Sequence, residues 1–482
     1  MIRLDDKKLW GNEAADDETP EVLRSYFIFH KNYDEFFDDD ERLVIARAQK
    51  GMGKSALINR YADKLESEGE PIVLNIKGAD LVAQKADVEL NSSEYIYDWQ
   101  QRICMAINRE LGSRIGFAAN DDEILLVENS ELLGFKRRNL LGSLISRLKN
   151  KIGPIQLEKI GVADQEQILK RVMGDKKRER IYLLIDDIDA TFHSTDKECL
   201  RLSTFFSACR DVVRNFQGVY IRIVIRSDVW ATIRKSDEAL DKVEQYIFDL
   251  KWSNKEMGAL LGGRVLSYEG RKNNSEVSLD DLRQETWKGA LGKVMENPFP
   301  WGSGTANNFR IIHTYSAGRP RWALQLCKMA ADEAIKVNQN DTTQPRIKFG
   351  HIKQVLEEYG QFRLDDATRE HIHQCNNISL IVNSFSSQRY RYNTSQLLRF
   401  IKDSVLKNMN VLVDGEEIEE PQQLARFLFK IGFIIGAKHD GNGLVYSTFE
   451  DKPDLLQNYS NMDDGLDWVI HPSFQAALGV SK

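Results

Sequence analysis

Residues 42–55, RLVIARAQKGMGKS, run a short apolar segment into a glycine-bracketed turn, and SALINRYADKLES continues at helical spacing. Strand, glycine turn and helix in that order constrain the chain more than any other stretch. They converge backbone N–H groups at a helix N-terminus, which is an anion-binding arrangement. The phosphate-loop spacing G-x-x-x-x-G-K-[ST] is met at Gly53, Lys54 and Ser55, but its first glycine falls at 48, where Ala48 stands. A methyl group there is costly only if the backbone needs positive φ or a very close approach. The loop is therefore expected to work. Gly51 and Gly53 supply the permissive backbone around Met52, Lys54 neutralises the β- and γ-phosphates, Ser55 ligates Mg²⁺, and the nucleotide-binding stretch runs from Gly51 to Ala56. A glycine-rich turn without ligand is the alternative.

Phosphoryl transfer also needs a carboxylate at the tip of a neighbouring strand. IYLLIDDID (181–189) is an apolar run ending in acids, as expected of a central parallel strand buried on both faces. Asp186 is expected to hold the metal, directly or through water, and Asp187 to orient or deprotonate the attacking water; Asp189 is a weaker candidate. A third strand, VYIRIVIRSDVW, carries Arg226 at its end. A cation there can report the γ-phosphate and stabilise transition-state charge, or be an ordinary strand-end arginine. In SAGRPRWAL (316–324), Pro320 offers a rigid face to adenine and Arg319 or Arg321 a cation to the phosphates. Equally, GRP serves to start a helix, since proline is favoured in a first turn.

Strands alternating with helices predict an α/β nucleotide-binding domain over 41–250, with a helical insertion over about 85–170, after an N-terminal segment 1–40. From 251 to 365 the pattern becomes helical, predicting a lid domain. Over 366–482, helices followed by two strands about a DGNG turn predict a winged helix. The net charge of −7 argues against a surface coated for nucleic acid, though not against a local basic patch. The five cysteines are scattered and form no C-x-x-C pair, so they read as buried thiols of a reducing compartment. The polar, acidic N-terminus and the lack of any apolar run near the roughly 18 residues that span a bilayer predict a cytoplasmic protein.

In this order, QKGMGKSAL, LLIDDID, IVIRSDVW and GRPRWAL resemble the phosphate loop, acidic strand, arginine-bearing sensor strand and G-x-P lid segment of the signal-transducing P-loop ATPases with numerous domains (STAND), neighbours of the origin-recognition branch of the AAA+ ATPases. From its LWGNEAADD start to its IHPSFQAAL end the chain looks like bacterial P-loop ATPases of antiphage defence. The resemblance implies a Mg²⁺-dependent ATPase of slow turnover that switches between ADP-closed and ATP-open states, with nucleotide between the α/β domain and the lid. It implies homo- or hetero-oligomers and a separate effector or sensor protein. It also offers His471 as a winged-helix histidine on the ADP β-phosphate, although the usual following Asp is Pro472 here and a structural histidine is the alternative.

A different class is a DNA-engaging ATPase of the origin-recognition kind. FKRRNLLGSLISRLKNK (135–151) and KKRER (176–180) are basic, and SSQRYRYN (386–393) interleaves arginine with tyrosine as stacking on nucleic acid requires. PQQLARFLFK falls where a winged helix presents its recognition element to duplex DNA. Solvated amphipathic faces are the plain alternative for each basic segment.

Overall fold

The computed structural model describes residues 2–481 apart from 30, 70, 82–89, 115–164, 176–179, 191, 193–194, 235–237, 274–285, 303, 338–344, 440–443 and 458–461. The basic segment 135–151 and most of KKRER therefore lie outside the described residues. The chain forms two compact units. One comprises Phe29–Gln49 and Lys54–Leu250; the other comprises Met1–Ile28, Lys50–Gly53 and Lys251–Lys482.

The first unit is an α/β layer structure. Strands β1 (Leu43–Ala48), β2 (Ile72–Lys77), β3 (Ile181–Asp186), β4 (Val219–Arg226) and β5 (Ile247–Asp249) form one sheet in the order β2-β3-β4-β1-β5. Every neighbouring pair is parallel. The apolar runs LVIA, IYLLI and IRIVI are buried because helices cover the sheet, which is why these strands lack the alternation of a half-solvated sheet. The helices Ser92–Arg114 and Asp196–Asn215 lay Trp99, Phe205 and Phe206 into the core, and the Trp99 indole donates to the Arg201 carbonyl at 2.8 Å. Arg222, in the middle of β4, is fully buried. Its guanidinium donates to the Phe36 and Asp38 carbonyls, each at 2.7 Å, and ties the segment before β1 to the sheet.

The second unit is built on the helices Asn254–Asn273, Trp287–Val294, Asn308–Tyr315, Pro320–Val337 and Phe349–His371, with one short hairpin, β6 (Phe299–Trp301) and β7 (Gly304–Ala306). The last of these helices is continuous through residue 365. The N-terminal residues dock on the first of them. Buried Arg264 donates to the Trp10 and Asn12 carbonyls and lies 4.1 Å above the Tyr26 ring.

Beyond it, β8 (Arg391–Tyr392) opens a winged-helix arrangement. The helix Thr394–Phe400 is followed by the small ribbon β9 (Leu412–Val413) and β10 (Glu416–Glu417), and then by the helix Pro421–Lys430. Strands β11 (Ile434–His439), β12 (Leu444–Ser447) and β13 (Asp467–Ile470) complete an antiparallel sheet in the order β12-β11-β13-β8. The chain is an α/β P-loop fold with a helical unit and a C-terminal winged helix. Among the described residues no helix is long and apolar enough to cross a membrane. All five cysteines are buried.

Candidate functional site

The C-terminal edge of the parallel sheet gathers the chemistry. Ala48 is the last residue of β1 and pairs in register with Arg226 of β4, so its side chain sits on a strand rather than in the turn. That is why alanine serves where the motif usually has glycine. The backbone does require glycine at Gly51 and Gly53, whose φ values are +82° and +98°. The helix Lys54–Glu68 begins directly after them, so its first N–H groups open onto the loop. Lys54 reaches back to the Gln49 carbonyl at 3.4 Å.

In β3, Lys77 of β2 lies level with Asp186. Burial raises the Asp186 carboxyl above its ordinary value; the Ser55 side chain and the Lys54 charge oppose that rise, and Asp187 reinforces it. Asp187 is exposed, with φ +56°, a region aspartate tolerates better than most side chains, and its N–H donates to Asp186 Oδ1 at 2.8 Å. The positive φ turns the chain sharply just past the strand tip. Gly78 makes room for this turn: a Cβ there would lie 2.2 Å from Ile188 Cα and 2.6 Å from the Asp187 carbonyl oxygen.

Asp189, read from sequence as a weaker candidate, is only 2% exposed and accepts the Arg226 backbone N–H at 2.7 Å. Because β4 lies between β1 and β3 in the sheet, Arg226 stands between the C-terminal ends of β1 and β3. Its guanidinium pairs with Asp228, Nε lying 3.1 Å from Oδ1. To reach a γ-phosphate it would have to exchange that partner.

The donor set fits Mg²⁺. The Ser55 hydroxyl and the Asp186 carboxylate it acts on are hard oxygen ligands, and Mg²⁺ at such sites takes one or two carboxylates and completes its shell with phosphate and water. Among the described residues no group of three or more His, Cys, Asp or Glu could hold a metal alone.

The candidates in the second unit separate. Pro320 is buried at the first position of its helix, the place proline favours. Arg319 is buried, pairs with Glu370 at 2.8 Å and lies 4.3 Å above the Trp322 ring, which fixes it as a packing element. Arg321 is half-buried, and its backbone N–H donates to the Gly51 carbonyl at 3.2 Å, so of the two arginines it is the one beside the loop. Met52 is buried, and its carbonyl accepts the Trp252 indole N–H at 2.8 Å, a contact with no signature in the sequence. His471 is buried at the start of a short helix, where Nδ1 accepts the Ser473 backbone N–H at 3.2 Å. Burial, with Arg319 and His313 adding, pushes its pKa down to about 3, so it is neutral at physiological pH.

Among the described residues, part of SSQRYRYN and the helix Pro421–Lys430 are engaged within the fold. Arg391 pairs with Asp467, its Nε at 2.8 Å, and Tyr392 is buried against Phe385 and Phe400. In the helix Pro421–Lys430 only Gln423 is exposed. Gln422 and Arg426 donate to the Leu456 and Leu455 carbonyls at 2.9 and 3.0 Å, under a segment that also sets Phe449 edge-to-face with Phe429.

No family model matches the chain, and no curated protein sequence matches it. Among solved structures it is similar to Cdc6p from Pyrobaculum aerophilum, at 10% identity and a TM-score of 0.32 over 98% of this chain and 96% of that one. It is similar to the Aeropyrum pernix ORC2 protein in ADPNP–ADP complexes, at 12% identity and a TM-score of 0.36 over 92% and 93%. The Aeropyrum pernix ORC1 protein in complex with DNA aligns at 11% identity and a TM-score of 0.33 over 96% of each chain. Overlays this loose leave the roles of individual residues to the geometry of this chain.

Proposed function

We propose that the protein is an ATP-binding, slowly hydrolysing P-loop ATPase that acts as a nucleotide-dependent conformational or oligomerisation switch on a separate effector, in the setting of bacterial antiphage defence. The observation that carries the ATPase reading is the helix that starts at Lys54 and Ser55 and the β3 end that carries Asp186, both at the C-terminal edge of one parallel sheet, with Ser55 and Lys54 acting on the same carboxylate. Hydroxyl, carboxylate and ammonium converge there at the C-terminal edge of a parallel sheet, where such folds bind phosphorylated ligands. Lys54 and the loop N–H groups bind the phosphates. Ser55 and Asp186 would hold Mg²⁺, which when bound neutralises charge on the phosphate oxygens. Asp187, exposed just beyond the strand tip, takes the proton of the attacking water, and Arg226, released from Asp228, stabilises developing charge. The defence setting and the effector rest on the sequence resemblance alone.

A second reading is a DNA-engaging ATPase of the origin-recognition kind. The winged-helix arrangement on the same chain favours it, and a grip on duplex would then use surfaces other than the covered face of the helix Pro421–Lys430.

The test is steady-state ATP turnover of the full chain with and without linear duplex, with Lys54→Ala as blank. Turnover by wild type, its loss in Lys54→Ala, and an Asp187→Asn variant that binds ATP but hydrolyses about 10²–10⁴-fold more slowly are expected. Full turnover by both variants sinks the site. Stimulation by duplex that fades as salt rises favours the second reading, since phosphate contacts release counterions.

A further inference from the structure

The apex of the phosphate loop, Lys50–Gly53, belongs to the unit that contains the C-terminal helices. Within that unit two carbonyls of the apex are held from outside. Gly51 O accepts the Arg321 backbone N–H at 3.2 Å, and Met52 O accepts the Trp252 indole N–H at 2.8 Å. Trp252 is held in turn: its own carbonyl lies 2.7 Å from His313 Nε2. A carbonyl can only accept, so the His313 proton is on Nε2. Burial lowers the His313 pKa, which keeps the ring neutral.

A peptide group is planar and trans, so its C=O and N–H point in opposite directions. Fixing Gly51 O and Met52 O therefore fixes the Met52 and Gly53 N–H groups, on the far side of the same two peptide planes. A loop that binds phosphate needs those N–H groups turned inward together. A flipped peptide would present a carbonyl oxygen to an anion instead. Glycines on either side of Met52 make such flips easy for a free chain.

We infer that Trp252, braced by His313, is a positioning residue for the phosphate loop: its indole N–H presets the peptide between Met52 and Gly53 so that the Gly53 N–H is ready for a nucleotide phosphate. The inference rests on the reading of this loop as a nucleotide site. It adds a cause for binding strength that lies outside the motif, about 200 residues along the chain.

The experiment is calorimetric titration of the full chain with ADP, for wild type, Trp252→Phe, His313→Leu, His313→Gln and Lys54→Ala, with thermal melting of each. Trp252→Phe keeps the ring but not the donor, and one neutral hydrogen bond corresponds to a 2- to 10-fold weaker ADP affinity. His313→Leu weakens ADP similarly, and His313→Gln, which keeps an N–H donor, recovers most of that loss. A general packing role would not distinguish Gln from Leu in this way. In protein labelled with 5-fluorotryptophan, the resonance that disappears in Trp252→Phe shifts when ADP is added. Unchanged ADP affinity in both Trp252→Phe and His313→Leu, with Lys54→Ala still defective, overturns the inference and leaves the ATPase reading standing. If Trp252→Phe does not fold, equal affinities for the two His313 variants overturn it as well. A wild-type chain that binds no ADP removes both.

Discussion

Asp189 accepts the backbone N–H of Arg226 at 2.7 Å and is almost wholly buried, so the acidic tip of β3 and the arginine-bearing end of β4 are joined by one carboxylate. Burial raises that carboxyl above its ordinary value, against the pull of Lys54 and the Arg226 N–H. The folded protein thus holds the proton more tightly than the unfolded chain. Stability from this group is full below the unfolded carboxylate value and is lost as pH rises through the folded one.

Asp189→Asn keeps an oxygen acceptor for Arg226 and removes the buried charge. It is expected to melt higher than wild type at pH 7, with the gap narrowing as pH falls through the raised folded value and closed by about 4, the unfolded aspartate value. Asp189→Ala leaves the Arg226 N–H unpaired and is expected to cost about 1–3 kcal/mol at either pH. Melting curves at pH 4 and pH 7 check both. An Asn variant equal to wild type at neutral pH contradicts the charge argument.

Gly78 packs its α-carbon against the turn that presents Asp187. An added methyl group would meet Ile188 Cα at 2.2 Å and Ile188 N at 2.6 Å, both backbone atoms with no rotamer to yield. Gly78→Ala is expected to destabilise by about 1–3 kcal/mol, as overpacking does. It should also lower kcat more than it raises KM, because what moves is Asp187, the proposed general base, and not the phosphate loop. Kinetics and melting together check this, and a normal kcat in a destabilised variant would detach Gly78 from the site.

The two arginines of GRPR should part company on substitution. Arg319 and Glu370 are a buried ion pair, their side chains 7% and 2% exposed, so Glu370→Gln leaves a buried guanidinium without its counter-charge. That is expected to cost about 3–5 kcal/mol. Arg321→Ala keeps the backbone N–H that meets Gly51 and removes a half-exposed cation. Melting should change by less than about 0.5 kcal/mol, and ATP affinity should fall. Titration with ATP checks it, and loss of binding in a well-folded Glu370→Gln variant would reverse the assignment.

The parts of this site that follow a chain-local rule were legible in the sequence. An apolar run into GMGKS and a second run into DDID are short patterns whose chemistry and strand context lie side by side, and both fall at strand C-termini as read. Ala48 was readable as tolerable, but its reason, a place on β1 beside Arg226, needed the register. The parts that were not legible depend on long-range pairing. Nothing in KWSNK links Trp252 to Met52. Nothing in IRIVIRS says that Arg222 turns to the Phe36 and Asp38 carbonyls while Arg226 meets Asp228. Alternating Arg and Tyr in RYRY suited nucleic acid as a pattern. The strand pairing β8–β13 instead places Arg391 on Asp467 and buries Tyr392.

Arg426 gives the sharpest separation of the two functional readings. Its guanidinium donates to the Leu455 carbonyl at 3.0 Å and lies 5.8 Å above the Phe449 ring, and burial lowers its pKa, with Asp454 opposing. A residue used this way fastens the 448–457 segment over its own helix. Arg426→Ala is therefore expected to cost about 1–2 kcal/mol, from one hydrogen bond and one cation–π contact. If this face instead read duplex, the same substitution would weaken DNA binding across sequences and reduce the salt slope of binding by about 1. Duplex titrations of wild type and Arg426→Ala at several salt concentrations decide between them. An unchanged slope with a lowered melting temperature is the expected result. A reduced slope would mean that the segment opens and that this helix meets DNA.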